Sequence, residues 1–256
     1  MSEARQNWTR DETILAFELY CTIPRGKDTV NNPLIKTLAK AIGRTENSVK
    51  LKLQNFKSYD PSYVSDGRIG LSHGSKLDKA ICEEFLSNWD ELVVHVEEIK
   101  GKFGLVENSV GALDGYMDIP FAKEVVVSAK QRIGQSFFRR TLHASYGGTC
   151  CITGISLTSL LRASHIKPWS KSNDINEKTN PQNGLLLNAL HDVAFDRGLI
   201  TISTNCKVIV GKSFLSDHDW EIGFFKRYHG HEIRKPSKFF PSKEFIEYHN
   251  NEIFRG

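Results

Sequence analysis

Apolar and polar positions change their spacing once along this chain, and that change divides it. From residue 9 to about residue 100 the apolar positions recur at helical intervals. Thr9 and Glu12 form a capping-box pattern with Trp8 at the staple position, and Ile14, Leu15, Phe17, Leu19 and Tyr20 continue a helix that ends before Pro24-Arg25-Gly26. Pro33 opens a second helix, stopped by Gly43 after Ile42. A third runs from about Glu46 to Phe56 with Thr45 as its cap. The spacing of Ile81, Phe85, Trp89, Leu92 and Val96 predicts one long amphipathic helix over about 77–99. Residues 101–120, with Gly101, Gly104, Gly111, Gly115 and Pro120, lose periodicity and read as a linker. A helix over about 125–146 follows, ending at Gly147-Gly148, and after it the pattern shortens. Leu160–Ser164 reads as a strand that delivers His165 at its end, with Pro168 stopping it. A polar loop leads to Asn183, Gly184–Asn188 returns as a second strand, and Ala189–Arg197 is a short helix closed by Gly198. The expectation is an α+β chain: a helical domain at 1–100, a linker at 101–120 and a strand–strand–helix domain at 121–256.

Composition narrows the classes. The chain has 256 residues, 39% of them apolar and 25% charged, which suits packed domains rather than disorder. No apolar run has the roughly 20 residues a membrane span needs, so no membrane partner is expected. The opening MSEARQNWTRDE is charged and lacks the apolar core of a signal peptide, which makes the expected compartment the cytoplasm. The five cysteines include the adjacent Cys150 and Cys151 but no CxxC pair, so neither a disulfide framework nor a structural zinc is expected.

A formal charge of +4 permits nucleic-acid binding without requiring it, but the charge is unevenly spread. Residues 36–57 hold Lys36, Lys40, Arg44, Lys50, Lys52 and Lys57 against Glu46 alone, and residues 129–140 hold Lys130, Arg132, Arg139 and Arg140 with no acid. Residues 80–99 carry six acids and no Lys or Arg. The first basic run lies on a helix, a Gly-containing turn and a second helix, the layout of a helix-turn-helix. At about 100° per residue Val49, Leu53 and Phe56 share the face turned to the first helix. Asn47, Ser48 and Gln54 lie on the far side, able to meet base edges, with Arg44, Lys50 and Lys52 placed to meet phosphates. The segment resembles Myb-like and other helix-turn-helix folds. The second run puts Arg132, Gln135 and Arg139 on one helix face, which reads as a phosphate contact, the alternative being a salt-bridged packing face.

The chemistry concentrates in residues 150–202. Ser164-His165-Ile166-Lys167-Pro168-Trp169, then Asn183-Gly184-Leu185, His191-Asp192 and Phe195-Asp196-Arg197-Gly198 follow in order. That set resembles the HNH nucleases of the ββα-metal type, most closely the branch found in bacterial restriction endonucleases and phage-defence proteins. The pattern R-x-x-Q-x-x-F-R (Arg132, Gln135, Phe138, Arg139), the run Cys151-Ile152-Thr153-Gly154 and the tail Phe245-Ile246-x-x-His249 are similar to the same branch, so the resemblance covers roughly 130–256. It implies His165 as general base, Asn183 as the residue that fixes the loop, and Mg²⁺ (or Mn²⁺) as cofactor. A histidine titrating near neutrality and a hard divalent cation are what phosphodiester hydrolysis asks for.

Two positions depart from the family pattern. The residue before the base is often an Asp ligand and here is Ser164. The family's helical metal position, about nine residues beyond the Asn, falls on Asp192 with His191 one residue short. Neighbouring helical residues point about 100° apart, so Asp192 is preferred as the ligand and His191 is the runner-up; Asp196 shares a face with Asp192 and reads as a water-mediated ligand or as a helix–loop brace with Arg197. The resemblance implies a metal-dependent DNA endonuclease acting on double-stranded DNA, with a role in restriction or phage defence, and a homodimer where both strands are cut. The competing readings are a DNA-binding regulator on a decayed nuclease fold and a modification-dependent nuclease that senses altered bases.

Overall fold

The computed structural model describes residues 6–61, 63, 74–105, 129–173, 176–212 and 220–256. The chain forms two compact units, Met1–Ile133 and Gly134–Gly256.

The described part of the first unit is helical. Helix α1 (Arg10–Thr22) begins at the capping box: the Glu12 N–H donates to the Thr9 hydroxyl and the Thr9 N–H to the Glu12 carboxylate at 2.8 Å, so two otherwise orphaned donors are satisfied reciprocally. Every residue from Glu12 to Cys21 is buried, so α1 is the axis of the unit and the other helices surround it. Helix α2 (Pro33–Ala41) is capped by Asn32, whose side chain accepts the Leu34 N–H. Pro33 sits at its first position, where no N–H is needed. Gly43, at φ +67°, turns the chain into α3 (Glu46–Phe56), capped by Thr45 through the Ser48 N–H. Val49, Leu53 and Phe56 are buried, and Phe56 meets Phe17 edge to face at 5.3 Å, a favoured geometry for an aromatic pair.

The expected single helix over 77–99 is two helices, α4 (Lys76–Leu86) and α5 (Trp89–Lys102). The Ser87 hydroxyl turns back onto the Glu83 and Glu84 carbonyls. Asn88 leaves helical geometry at φ −150°, and buried Trp89 starts the second helix. Apolar spacing runs unbroken through a two-residue break, which is why periodicity joins the two. Helix α5 also takes the first residues of the expected linker; most of 101–120 lies outside the described residues. No described helix is long and apolar enough to cross a membrane.

The second unit is built on a hairpin. Helix α6 (Ala129–Ser145) occupies most of the helix expected over 125–146, whose first four residues lie outside the described ones. Strands β1 (Leu161–His165) and β2 (Gly184–Asn188) pair antiparallel, Leu161 opposite Asn188 and His165 opposite Gly184. Helix α7 (Ala189–Asp196) leaves β2 directly: the Asn188 side chain accepts the Leu190 and His191 N–H groups, each at 3.1 Å, and so caps the helix. A second hairpin, β3 (Ile200–Ile202) with β4 (Val208–Val210), and helices α8 (Trp220–Lys226) and α9 (Lys243–Glu252) complete the described fold. The core joins Phe138, Leu142, Cys150, Leu186, Phe195 and Ile246.

Two glycines are required. A Cβ at Gly184 would lie 2.5 Å from a Leu142 methyl and 2.7 Å from the Phe138 ring, so glycine lets α6 settle on β2. Gly198 closes α7 at φ +70°, and a Cβ there would run into the Ile253 carbonyl at the end of α9; only glycine meets both demands.

Candidate active site

His165 is the last residue of β1, and its ring is boxed rather than free. Phe138 of α6 stacks on it at 3.9 Å with 9° between the planes, and Trp169 meets it edge-on at 5.4 Å. Its Nε2 lies 2.9 Å from the Lys178 carbonyl oxygen. A carbonyl only accepts, so Nε2 carries the proton and donates, which leaves Nδ1 as the basic nitrogen. Burial pushes the imidazole down to about 4, partly opposed by the Lys178 carbonyl, so the ring is neutral at pH 7.

The loop that supplies this carbonyl, between β1 and β2, has no strand among its described residues and is held by Asn183. That side chain is fully buried and bonds the loop at several points. Its Oδ1 accepts the Lys167 N–H at 2.8 Å, and its Nδ2 faces the Lys167 and Glu177 carbonyls, each at 3.1 Å, and the Ser172 hydroxyl at 3.3 Å. A buried amide with these partners ties both ends of the loop to the start of β2.

Helix α7 carries the candidate metal ligands. Asp192 and Asp196, at i and i+4, share a face that is at least partly open to solvent. The packing beneath Asp196 and the Asp192 charge push the Asp196 carboxyl up to about 6; at pH 7 it is mostly ionised, and a cation beside it would relieve the repulsion from Asp192. Two hard carboxylates fit a Mg²⁺-type ion that keeps water and phosphate as its other ligands. Among the described residues no cluster of three His, Cys, Asp or Glu assembles.

His191 lies elsewhere. It is 3% exposed; its Nδ1 is 3.1 Å from the Asn188 amide nitrogen, and its ring packs against Phe225 and Tyr228. The Asn188 amide oxygen is 3.2 Å from the same nitrogen, so Asn188 engages Nδ1 in either tautomer, while the buried Nε2 has no hydrogen-bond partner. The step of about 100° from Asp192 turns the His191 ring toward Phe225 and Tyr228 in the core, while Asp192 stays partly exposed. Ser164 points to the opposite side of the hairpin from His165. Its buried Oγ has no hydrogen-bond partner, hence no bond to Asp192 or Asp196.

The expected DNA-contacting residues separate into two groups. Asn47 is exposed, and Ser48, Lys50 and Gln54 are half-exposed on the outer side of α3. Lys52 is not on that surface. It is 4% exposed, with its ammonium 2.5 Å from the carboxylate of Asp78, which is itself fully buried. Arg44 is likewise engaged, paired with Glu12 at 2.8 Å, bonded to the Gln6 and Asn7 carbonyls and lying over the Trp8 ring. Both are corrected from phosphate contacts to ties within the unit. Trp8, at the expected staple position, has Arg44 and Lys52 within 4.6 Å of its ring centre, a cation–π arrangement. On α6, Arg132 and Gln135 are exposed and Arg139 is half-buried, one of its terminal nitrogens lacking a partner.

Sequence reasoning missed the Lys178 carbonyl, the stacking role of Phe138 and the pairing of Lys167 with Glu177. A backbone carbonyl has no residue signature, and Phe138 carries a signal only as one letter of the R-x-x-Q-x-x-F-R pattern. Residues 150–203, which hold β1, β2, α7 and β3, match the family model of an HNH endonuclease, so the chain carries an HNH domain. No curated protein matches the chain.

Proposed function

We propose that the protein is a metal-dependent DNA endonuclease, with a helical reading domain at residues 1–100 joined to an HNH catalytic domain at 121–256. The observation that carries this reading is His165 at the end of β1, its Nε2–H committed to the Lys178 carbonyl and its Nδ1 left as proton acceptor, inside the segment that matches the HNH family.

In this reading His165 Nδ1 takes the proton of a water whose oxygen attacks the scissile phosphorus. The P–O3′ bond breaks, leaving a 5′-phosphate and a 3′-oxygen that is protonated from solvent. Asn183 holds the loop so that the Lys178 carbonyl keeps His165 in the required tautomer and takes up part of the positive charge the ring acquires. Asp192 and Asp196 hold the divalent ion, which when bound neutralises charge on the phosphate and the departing oxygen. Arg132, Gln135 and Arg139 face the DNA backbone, while Asn47, Ser48, Lys50 and Gln54 meet the duplex from α3. The biological role is restriction of foreign DNA in the cytoplasm, with two copies acting together where both strands are cut.

The test is a plasmid incubated with Mg²⁺, with and without chelator, wild type beside His165→Ala, on unmodified, methylated and glucosylated DNA. Chelator-sensitive cutting by wild type that His165→Ala lacks is expected on at least one substrate. Absence of metal-dependent cutting on all three refutes the enzyme reading and favours a regulator.

A further inference from the structure

The loop over His165 is held by more than Asn183. Lys167 stands near its start and Glu177 ten residues further on, and their side chains meet in a bidentate ion pair: the Lys167 ammonium is 2.9 and 2.7 Å from the two Glu177 carboxylate oxygens. Both side chains are largely shielded from solvent, 19% and 13% exposed, so the pair is screened less than a surface one. The ammonium also lies 5.2 Å from the Tyr248 ring of α9, which fixes its position from a second element.

The backbone of both residues is already in the machinery. Lys167 exchanges two hydrogen bonds with the Asn183 side chain, and the Glu177 carbonyl faces the same amide. Glu177 immediately precedes Lys178, whose carbonyl meets His165. The Glu177 carboxylate also accepts the Asn173 N–H at 2.8 Å, closing the loop on itself at a third point. A carbonyl one residue from such an anchor has little freedom to turn away from the imidazole.

We infer that Lys167 and Glu177 are positioning residues that lock the Lys178 carbonyl onto His165 Nε2 and so keep Nδ1 as the basic nitrogen. The inference rests on the nuclease reading only for its kinetic arm; the hydrogen bond itself is observable whether or not the protein cuts DNA. The pair acts through the loop rather than on the reacting atoms.

The experiment uses the full chain with ¹⁵N-labelled histidine. In wild type the His165 Nε2–H resonance is expected to be observable and slow to exchange with solvent. Lys167→Met is expected to speed its exchange at least tenfold while the thermal midpoint stays within a few degrees. Lys167→Arg, which keeps charge and bidentate geometry, restores protection. On a cleavable substrate the same Met variant lowers kcat about 10- to 100-fold with KM within twofold, the pattern of a misplaced base rather than weakened binding. If Lys167→Met does not fold, Glu177→Gln carries the same readouts. An Nε2–H signal equally protected in wild type and the folded variant overturns the inference. Protection lost in Lys167→Met beside a wild type that never cuts DNA would overturn the nuclease reading alone.

Discussion

At the scale of single residues, burial decides which charges are free to act. Lys50 and Lys52 are two positions apart on α3 and carry the same side chain, yet one is half-exposed and the other lies under the surface against Asp78. Burial pulls the Lys52 ammonium down from its ordinary value, and the Asp78 charge opposes the shift. Asp78 is also tied to the Asn55 amide and the Ser75 N–H, so removing Lys52 leaves a buried carboxylate with neutral partners only. Lys52→Ala is therefore expected to destabilise the protein by about 3 kcal/mol in urea unfolding, whereas Lys50→Ala changes it by no more than about 0.5 kcal/mol. A helical wheel puts Lys52 only about 60° from Val49, at the margin of the buried face. Its partner is 26 residues away on another helix. That is why its side is not legible from the segment alone. The same margin separates Asp192 from His191. Asp192→Asn is expected to abolish Mg²⁺-dependent cutting with the fold intact, and normal cutting by that variant would show the ligand assignment to be wrong. His191→Ala is expected to lower stability instead, because it empties a site lined by Phe225 and Tyr228.

At the scale of elements, what was legible is what local chemistry sets. The Thr9–Glu12 box, Pro33, Gly43, Thr45 and Gly198 are stop and start signals read within a few residues of themselves, and the elements they bound stand where expected. The strand order around His165 and Asn183 was equally legible, since each residue marks an element's end. What stayed hidden depends on packing between distant elements, such as the Ser87-Asn88 break and the seat of α6 on β2. Gly184→Ala tests that seat, because its methyl meets Leu142 and Phe138. A loss of about 1–3 kcal/mol is expected, together with weaker Phe138–His165 stacking seen as a shift of the His165 ring protons. The elements around the hairpin also bury histidines away from the proposed chemistry. Burial, helped by the Arg139 charge, pushes His143 down to about 4, and burial pushes His249 to the same level against the Phe195 carbonyl. Unfolded, both titrate near 6.5, so the unfolded chain takes up protons first as pH falls. The stability each contributes is complete above about 6.5 and is lost progressively down to about 4. In that window each adds about 1.4 kcal/mol per pH unit to the slope of unfolding free energy. His143→Gln or His249→Gln is expected to reduce the slope by about that amount, measured by urea unfolding at pH 4.5–6.

At the scale of the whole molecule, the proposed division into a reader and a cutter makes the two functions separable in kinetics. The basic residues still exposed on α3 and α6 would act through phosphate charge, and that attraction weakens with salt. Lys50→Ala is expected to weaken binding of a DNA duplex across sequences and to reduce the slope of log affinity against log salt by about one. It should leave the single-turnover cleavage rate at saturating DNA within twofold, because no atom of Lys50 belongs to the hairpin or to α7. His165→Ala should behave in the opposite way, with the duplex affinity and salt slope of wild type and a cleavage rate lower by about 10²-fold or more. Arg139 distinguishes this division from a looser one. It lies on α6, the helix that also carries Phe138 onto the base, so a phosphate held there is held by the same rigid element that boxes His165. Arg139→Ala is therefore expected to reduce both affinity and single-turnover rate, each by more than threefold. If it lowers affinity alone, like Lys50→Ala, then α6 serves only to attract DNA and does not align the phosphate with His165.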